Sequence, residues 1–240
     1  MALSLDKEQK QVKLTLDKVI DTEVPPVQVK LLADVSGSMQ SHYDKSRGYM
    51  YPILQRSIAL ASVIDPDKVV QMVTFDTKAY DLGDFGVDDF ESIYEAFENN
   101  NFWGGTNYSV AFNKILETRA PSVASKTKGF FGSLFGKKDT KTANSTSNEP
   151  ELIVFFTDGE DGGSHSEFIT AVNKVLDNNT YLMCIGGGGS ERYYQNLKQL
   201  AEERDNVGYV YFSNPHKLSD EAFYDTILSG EFGQWLKKFA

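Results

Sequence analysis

Five short apolar runs set narrow limits on how this chain folds: residues 27–33 (VQVKLLA), 69–75 (VVQMVTF), 152–156 (LIVFF), 181–185 (YLMCI) and 207–212 (VGYVYF). Runs of this length with so few polar positions read as strands buried on both faces. The segments between them carry helical spacing. Leu54, Ile58 and Ala61 recur four and three apart ahead of Pro66, and Val110 with Ile115, Ile169 with Val172 and Leu176, and Leu197 with Leu200 belong to similar stretches. Strands that alternate with helices need crossover connections, and these give a mainly parallel sheet. The expected architecture is one doubly wound α/β domain over 27–240, with helices on both faces of the sheet. A length of 240 residues suits it.

Two segments depart from this plan. In the first 26 residues Leu3, Leu5, Val12, Leu14 and Leu16 fall at alternating positions among polar residues, which suggests an N-terminal arm forming an added edge hairpin. Residues 121–148 read PSVASKTKGFFGSLFGKKDTKTANSTSN, with five lysines against one aspartate. Such a composition fits a flexible basic insertion at 121–149, between a helix and the strand at Leu152. Phe130, Phe131, Leu134 and Phe135 inside it offer a docking patch for a partner or a membrane surface, or simply fold back on the domain. The apolar stretch is too short to anchor stably in a bilayer.

The formal net charge of -10 argues against nonspecific binding to nucleic acid and favours metal cations. Cys184 is the single cysteine, so no intramolecular disulfide forms, and its apolar surroundings make it a core residue. No apolar run approaches the ~20 residues of a membrane span, and MALSLDKEQK has no signal-peptide core. A cytoplasmic location is the expectation.

The first core strand ends in DVSGSM, residues 34–39. Ligands of open α/β sheets bind beyond the carboxyl ends of the strands. Alternate residues of an extended segment point the same way, so Asp34, Ser36 and Ser38 can present three oxygens to one point. GGTN at 104–107 and TDG at 157–159 add Thr106 and Asp158 at other strand or loop ends. All five donors are oxygens, a set that selects Mg²⁺, Mn²⁺ or Ca²⁺ over zinc or copper. Two carboxylates barely neutralise a divalent ion, which leaves room for a carboxylate from another molecule. The competing reading is local: Ser36, Ser38 and Thr106 are good helix caps, and Asp158-Gly159 a good turn.

DVSGSM, GGTN and TDG, in that order, resemble the metal-ion-dependent adhesion site of von Willebrand factor type A domains. The resemblance implies a Rossmann-like α/β fold. It also implies Mg²⁺ (or Mn²⁺ or Ca²⁺) held at Asp34, Ser36, Ser38, Thr106 and Asp158, with the serines in direct contact and the aspartates partly acting through water. A protein partner's Asp or Glu would complete the shell. His42-Tyr43, Gly48-Tyr49-Met50, Arg56 and Leu60-Ala61 look like the bacterial tellurium-resistance, TerF-like branch. So do Leu218-Ser219-Asp220, Tyr224-Asp225 and EFGQWL at 231–236. That branch implies a role in a bacterial stress or tellurium-resistance system. Its members often carry a calcium-binding TerD-type domain first; here only the opening of one is matched, so calcium binding at that second site is not carried over.

Other features weigh less. IGGGGS at 185–190 lacks the Lys-Ser/Thr of a P-loop and the spacing of a dinucleotide fingerprint, and reads as a turn near the metal face. His42, His165 and His216 lack a third soft ligand for zinc. His42, Tyr43, Tyr49 and Tyr51 form either a partner-binding rim or packing. Trp103 reads as a loop anchor, Trp235 as the dock of a final helix, and Glu160 and Asp161 either tune the metal loop from outside or are only solvated. The alternative function is a Mg²⁺-dependent phosphatase or hydrolase. The chain offers no second aspartate in DVSGS and no Ser-His-Asp signature for it, so a non-enzymatic binding module is expected.

Overall fold

In the computed structural model, which describes residues 5–21, 23–98, 101–119 and 149–239, all five apolar runs are strands. They form β1 (Gln28–Asp34), β2 (Val70–Phe75), β4 (Glu151–Thr157), β5 (Thr180–Gly187) and β6 (Val207–Phe212), all parallel. A sixth strand, β3 (Ala79–Phe85), adds antiparallel to β2 and completes the order β3-β2-β1-β4-β5-β6. It went unseen because AYDLGDF carries two aspartates and a glycine, residue types depleted in strands. At the edge of the sheet it buries little besides Phe85, and its pairing shifts register at Met72/Val73.

The helices are α1 (Asp6–Val19), α2 (Met50–Ile64), α3 (Phe90–Glu98), α4 (Tyr108–Arg119), α5 (His165–Val175), α6 (Gln195–Glu202), α7 (Asp220–Ile227) and α8 (Gly230–Leu236). They cover both faces of the sheet. Val29, Leu31 and Ala33 of β1 pack with α1, α2, α7 and α8 in one core. Leu32 points the other way and joins Phe75, Phe155 and Phe168 under α4, α5 and α6. This alternation along one strand is the two-sided burial that the apolar runs imply. Pro66 bars helical geometry at Asp65, and α2 ends there with Asp65 extended. Trp235 of α8 is buried, and its indole N–H donates to Asn178 O at 3.3 Å.

The N-terminal hairpin is a correction: α1 is a helix. Val12, Thr15 and Leu16 form its buried stripe at helical spacing, whereas Leu14, which alternation places beside Leu16, faces solvent with 48% exposure. Polar contacts fix the helix to the domain. Thr15 Oγ1 donates to Asp225 Oδ1 at 2.9 Å and Lys7 Nζ to Asp220 Oδ2 at 2.6 Å. Asp220 also accepts from Arg56 Nε at 3.0 Å, while Arg56 donates to Leu218 O and Tyr224 OH to Arg56 O. Arg56 and the tail motifs at 218–225, singled out above for their resemblance, are therefore one packed junction. The basic insertion expected at 121–149, with Phe130–Phe135 inside it, lies outside the described residues except for Glu149. Among the described residues no helix is long and apolar enough to cross a membrane.

If α1 packs this way, Leu16→Ala should destabilise the protein by about 2–4 kcal/mol, as a buried truncation does. Leu14→Ala should change stability by less than about 0.5 kcal/mol. Urea unfolding of the two variants separates a helix from an alternating strand, which would treat both leucines alike.

Candidate metal centre

The strand order reverses between β1, which pairs with β2 on one side, and β4 on the other. Ligands gather outside the strand ends at such a switch point. Ala33 pairs with Phe156, so the next residues, Asp34 and Thr157, stand side by side. Thr157 Oγ1 donates to Asp34 Oδ2 at 2.6 Å, and Ser36 N donates to Asp34 Oδ1 at 2.7 Å. Asp34 is fully buried.

From this carboxylate the donors continue outward. Ser36 Oγ and Ser38 Oγ are 3.2 Å apart, and Ser38 Oγ donates to Asp158 Oδ1 at 2.8 Å. A Cβ placed on Gly159 would stand 3.8 Å from Thr106 Oγ1 and 3.9 Å from Ser38 Oγ, so Thr106 closes the group. The structure thus brings all five expected residues to one place. The capping reading loses ground on two of its positions. Ser36 sits at the N-cap of the 3-10 segment Gly37–Tyr43 with no capping bond from its hydroxyl. At α4 the cap is Asn107, whose Oδ1 accepts from Ser109 N at 3.0 Å, which leaves Thr106 Oγ1 unused there.

Three loops are stitched to hold these groups. Gly37 N donates to Gly104 O and Trp103 N to Val35 O; Gly162 N donates to Thr106 O. Two carboxylates that sequence reading left out or left open do much of this. Asp76, directly after β2, accepts from Gly104 N at 3.0 Å and Lys78 N at 2.8 Å, and its carbonyl accepts from Asn107 N. A Cβ on Gly104 would lie 2.9 Å from Asp76 Oδ2, so this close approach requires glycine. Asp161, which the sequence leaves either tuning the metal loop from outside or simply solvated, accepts from Tyr108 N and Gly163 N, both at 3.0 Å. Tyr108 OH donates to Gly159 O at 2.5 Å. One signal was available: an aspartate closes β1 or follows directly after β2 and β4 alike.

Burial raises the Asp34 carboxyl from an ordinary 3.8 to about 6, against hydrogen bonds from Ser36 and Thr157 that lower it. Burial also raises Asp158, opposed by Ser38 Oγ. Burial lowers His42, so although its Nε2 lies 3.7 Å from Asp158 Oδ2, the contact is that of a neutral imidazole rather than an ion pair at neutral pH. Among the described residues no three His, Cys, Asp or Glu side chains group as metal ligands, so a cation here relies on the hydroxyls. The donor set fits a hard divalent ion, whose charge would offset the cost of keeping Asp34 ionised in a buried position. The glycine loop after β5 places Gly188 and Gly189 at positive φ; a Cβ on Gly189 would be 3.5 Å from Asp158 O, which puts that turn beside the same face.

The family model for the von Willebrand A domain found at the TerF C terminus matches residues 26–131 and 135–240. The chain belongs to the TerF-like von Willebrand factor A family. The match runs through the 121–149 segment except at 132–134. Solved structures share the fold of this A domain. Proximal thread matrix protein 1 from the mussel byssus aligns at TM-score 0.52 and 15% identity, over 87% of this chain and 49% of that one. A von Willebrand factor type A protein from Catenulispora acidiphila aligns at TM-score 0.54 and 18% identity, over 88% and 43%. The SpRpn10 VWA domain aligns at TM-score 0.54 and 14% identity, over 83% and 93%. The chain therefore spans less than half of the first two. At these identities the likeness is one of fold. No curated protein matches the sequence. Von Willebrand A domains are commonly interaction modules, and are generally not enzymes.

A carboxyl that holds its proton more tightly in the fold favours the fold at low pH, and that contribution is lost as pH rises through about 6. In EDTA, the wild type should therefore lose on the order of 3 kcal/mol relative to Asp34→Asn between about pH 3 and pH 7. Denaturant unfolding of both proteins across that range isolates Asp34 from Asp65, which burial likewise raises to about 6.

Proposed function

We propose that this A domain is a non-enzymatic, divalent-cation-dependent protein-binding module that takes an Asp or Glu side chain of a partner. The observation that carries this reading is the convergence of Asp34, Ser36, Ser38, Thr106 and Asp158 from three loops, with Ser38 Oγ linking Ser36 to Asp158. These residues would hold Mg²⁺, with Mn²⁺ or Ca²⁺ compatible with the same oxygen donors. Bound there, the ion supplies an open coordination position for an incoming carboxylate.

The chain's own residues set the rest. Ser36 and Ser38 would offer neutral ligands, and Asp34 and Asp158 would supply the negative charge. Thr157 holds the Asp34 carboxylate in place through its 2.6 Å bond, the role of an outer partner that orients a ligand. Asp76 and Asp161 position the Thr106 loop. With only two carboxylates the site with a divalent ion would be about neutral, so a third carboxylate from a partner would meet no net negative charge there. The TerF-like family supports a place in a bacterial stress or tellurium-resistance system.

Calorimetric titration of Mg²⁺ into EDTA-stripped protein tests this. Saturable binding is expected, lost in Asp34→Ala and weakened about ten- to a hundred-fold in Thr157→Val. Absence of Mg²⁺ binding at millimolar concentration, with an Asp-containing peptide also present, would overturn the proposal.

A further inference from the structure

A groove of about 820 Å³ opens beside the candidate metal face. Its walls include His42, Tyr43, Tyr51, Phe97, Trp103 and His216. Tyr43 packs on Phe97 with ring centres 4.6 Å apart and on Trp103 at 5.8 Å. The groove and the metal loops share atoms. Tyr43 OH donates to Asp34 O at 2.9 Å, His42 Nε2 lies 3.7 Å from Asp158 Oδ2, and Trp103 N donates to Val35 O at 2.9 Å. The groove wall and the loops that carry the candidate ligand oxygens are therefore in direct contact.

Two further observations say what the groove receives. Trp103 has φ 79, a left-handed conformation that a bulky residue adopts only under strain. Strain of this kind collects at ligand clamps, and here it aims a large indole at the groove, one position before the glycines that lead to Thr106. The groove's charge also runs against that of the molecule. The chain carries -10 overall, yet the charged residues lining the groove are Lys45, Arg47 and a single acid, Asp44. Asp44 is already occupied, accepting from Ser46 N, Ser46 Oγ and Arg47 N. Arg47 is largely exposed and its Nε lies 3.8 Å from Asp44 Oδ1, so the charged lining of the groove, two cations and one acid, is net positive by one. An apolar aromatic wall edged by cations fits an acidic segment that carries one large apolar side chain.

We propose that this groove receives a large apolar side chain, such as Trp, Phe or Leu, of an acidic partner segment, within a few residues of the carboxylate that the metal takes. The inference rests on the metal-binding reading above and adds sequence selectivity to it. A lone carboxylate would give every acidic surface the same claim on the site; the groove distinguishes among them.

The probe is a set of fluorescein-labelled synthetic peptides with one central Asp in a Gly/Ser background, two flanking Glu, and a Trp moved through each neighbouring position. Anisotropy is read with the full chain in Mg²⁺. At one favoured offset, Trp should tighten binding by about tenfold or more over Ser. Phe97→Ala should erase that gain and leave the Mg²⁺ isotherm unchanged, which also shows that the variant is folded. Arg47→Glu, a surface change, should weaken all the acidic peptides several-fold. Binding that needs Asp and Mg²⁺ but gains nothing from Trp at any offset, or whose gain survives Phe97→Ala, would overturn the groove and leave the metal reading standing. Binding that needs Trp and Phe97 but ignores Asp and Mg²⁺ would overturn the coupling proposed here and the metal reading with it.

Discussion

The bond from Thr157 Oγ1 to Asp34 Oδ2 joins the two central strands at the point where the strand order turns. An unpaired buried carboxylate is too costly for a fold to keep. Asp34 is kept because the register of β1 on β4 delivers one hydroxyl donor to it and the following backbone turn delivers an amide. That satisfies the carboxylate from below and from one side. Its field still acts on the open side, where Ser36, Ser38 and Asp158 gather. The sheet thus creates a charge that its surroundings only partly compensate, and the loops above are arranged around it.

Those loops owe their positions to side chains more than to regular structure. Asp76 and Asp161 each accept two backbone amides from loop segments. Charged acceptors make stronger hydrogen bonds than neutral ones, so two carboxylates organise segments that have no ladder of their own. On the proposed reading the oxygen groups are then preset before a ligand arrives, and less ordering would be needed on binding.

Much of this was legible in the sequence. Runs such as LIVFF and YLMCI could be little other than buried strands, and the oxygen groups after them fell where a parallel sheet puts ligands. What escaped had physical reasons. β3 is held at the edge by backbone pairing to β2, so its side chains carry almost no apolar pattern. In α1, Val12, Leu14 and Leu16 satisfy period two as well as the stripe Val12, Thr15 and Leu16 satisfies the helix, and polar partners such as Asp220 and Asp225 lie some two hundred residues away. Asp76 and Asp161 looked like ordinary loop aspartates because their roles consist of contacts to the backbone of other loops, which no local window reveals. The groove wall has the same origin: Phe97 and Trp103 meet Tyr43 only in the folded chain.

The attachment of α1 has a consequence for how the chain is made. Lys7 pairs with Asp220 across 213 positions of sequence, and Thr15 with Asp225 across 210. At synthesis rates of about 5–20 residues per second, α7 follows α1 by roughly 10–40 s, whereas α2, bonded to α1 through Gln9 with Ser62 and Gln55 with Glu8, follows within seconds. During that interval the stripe Val12, Thr15 and Leu16 has no lasting cover from α7, and a helix of this length is marginal by itself in water. Contacts of such long range also slow the final docking step. Until α7 emerges, the part of α1 that it covers stays open to chaperones and proteases, and the last turns of α7 close that window.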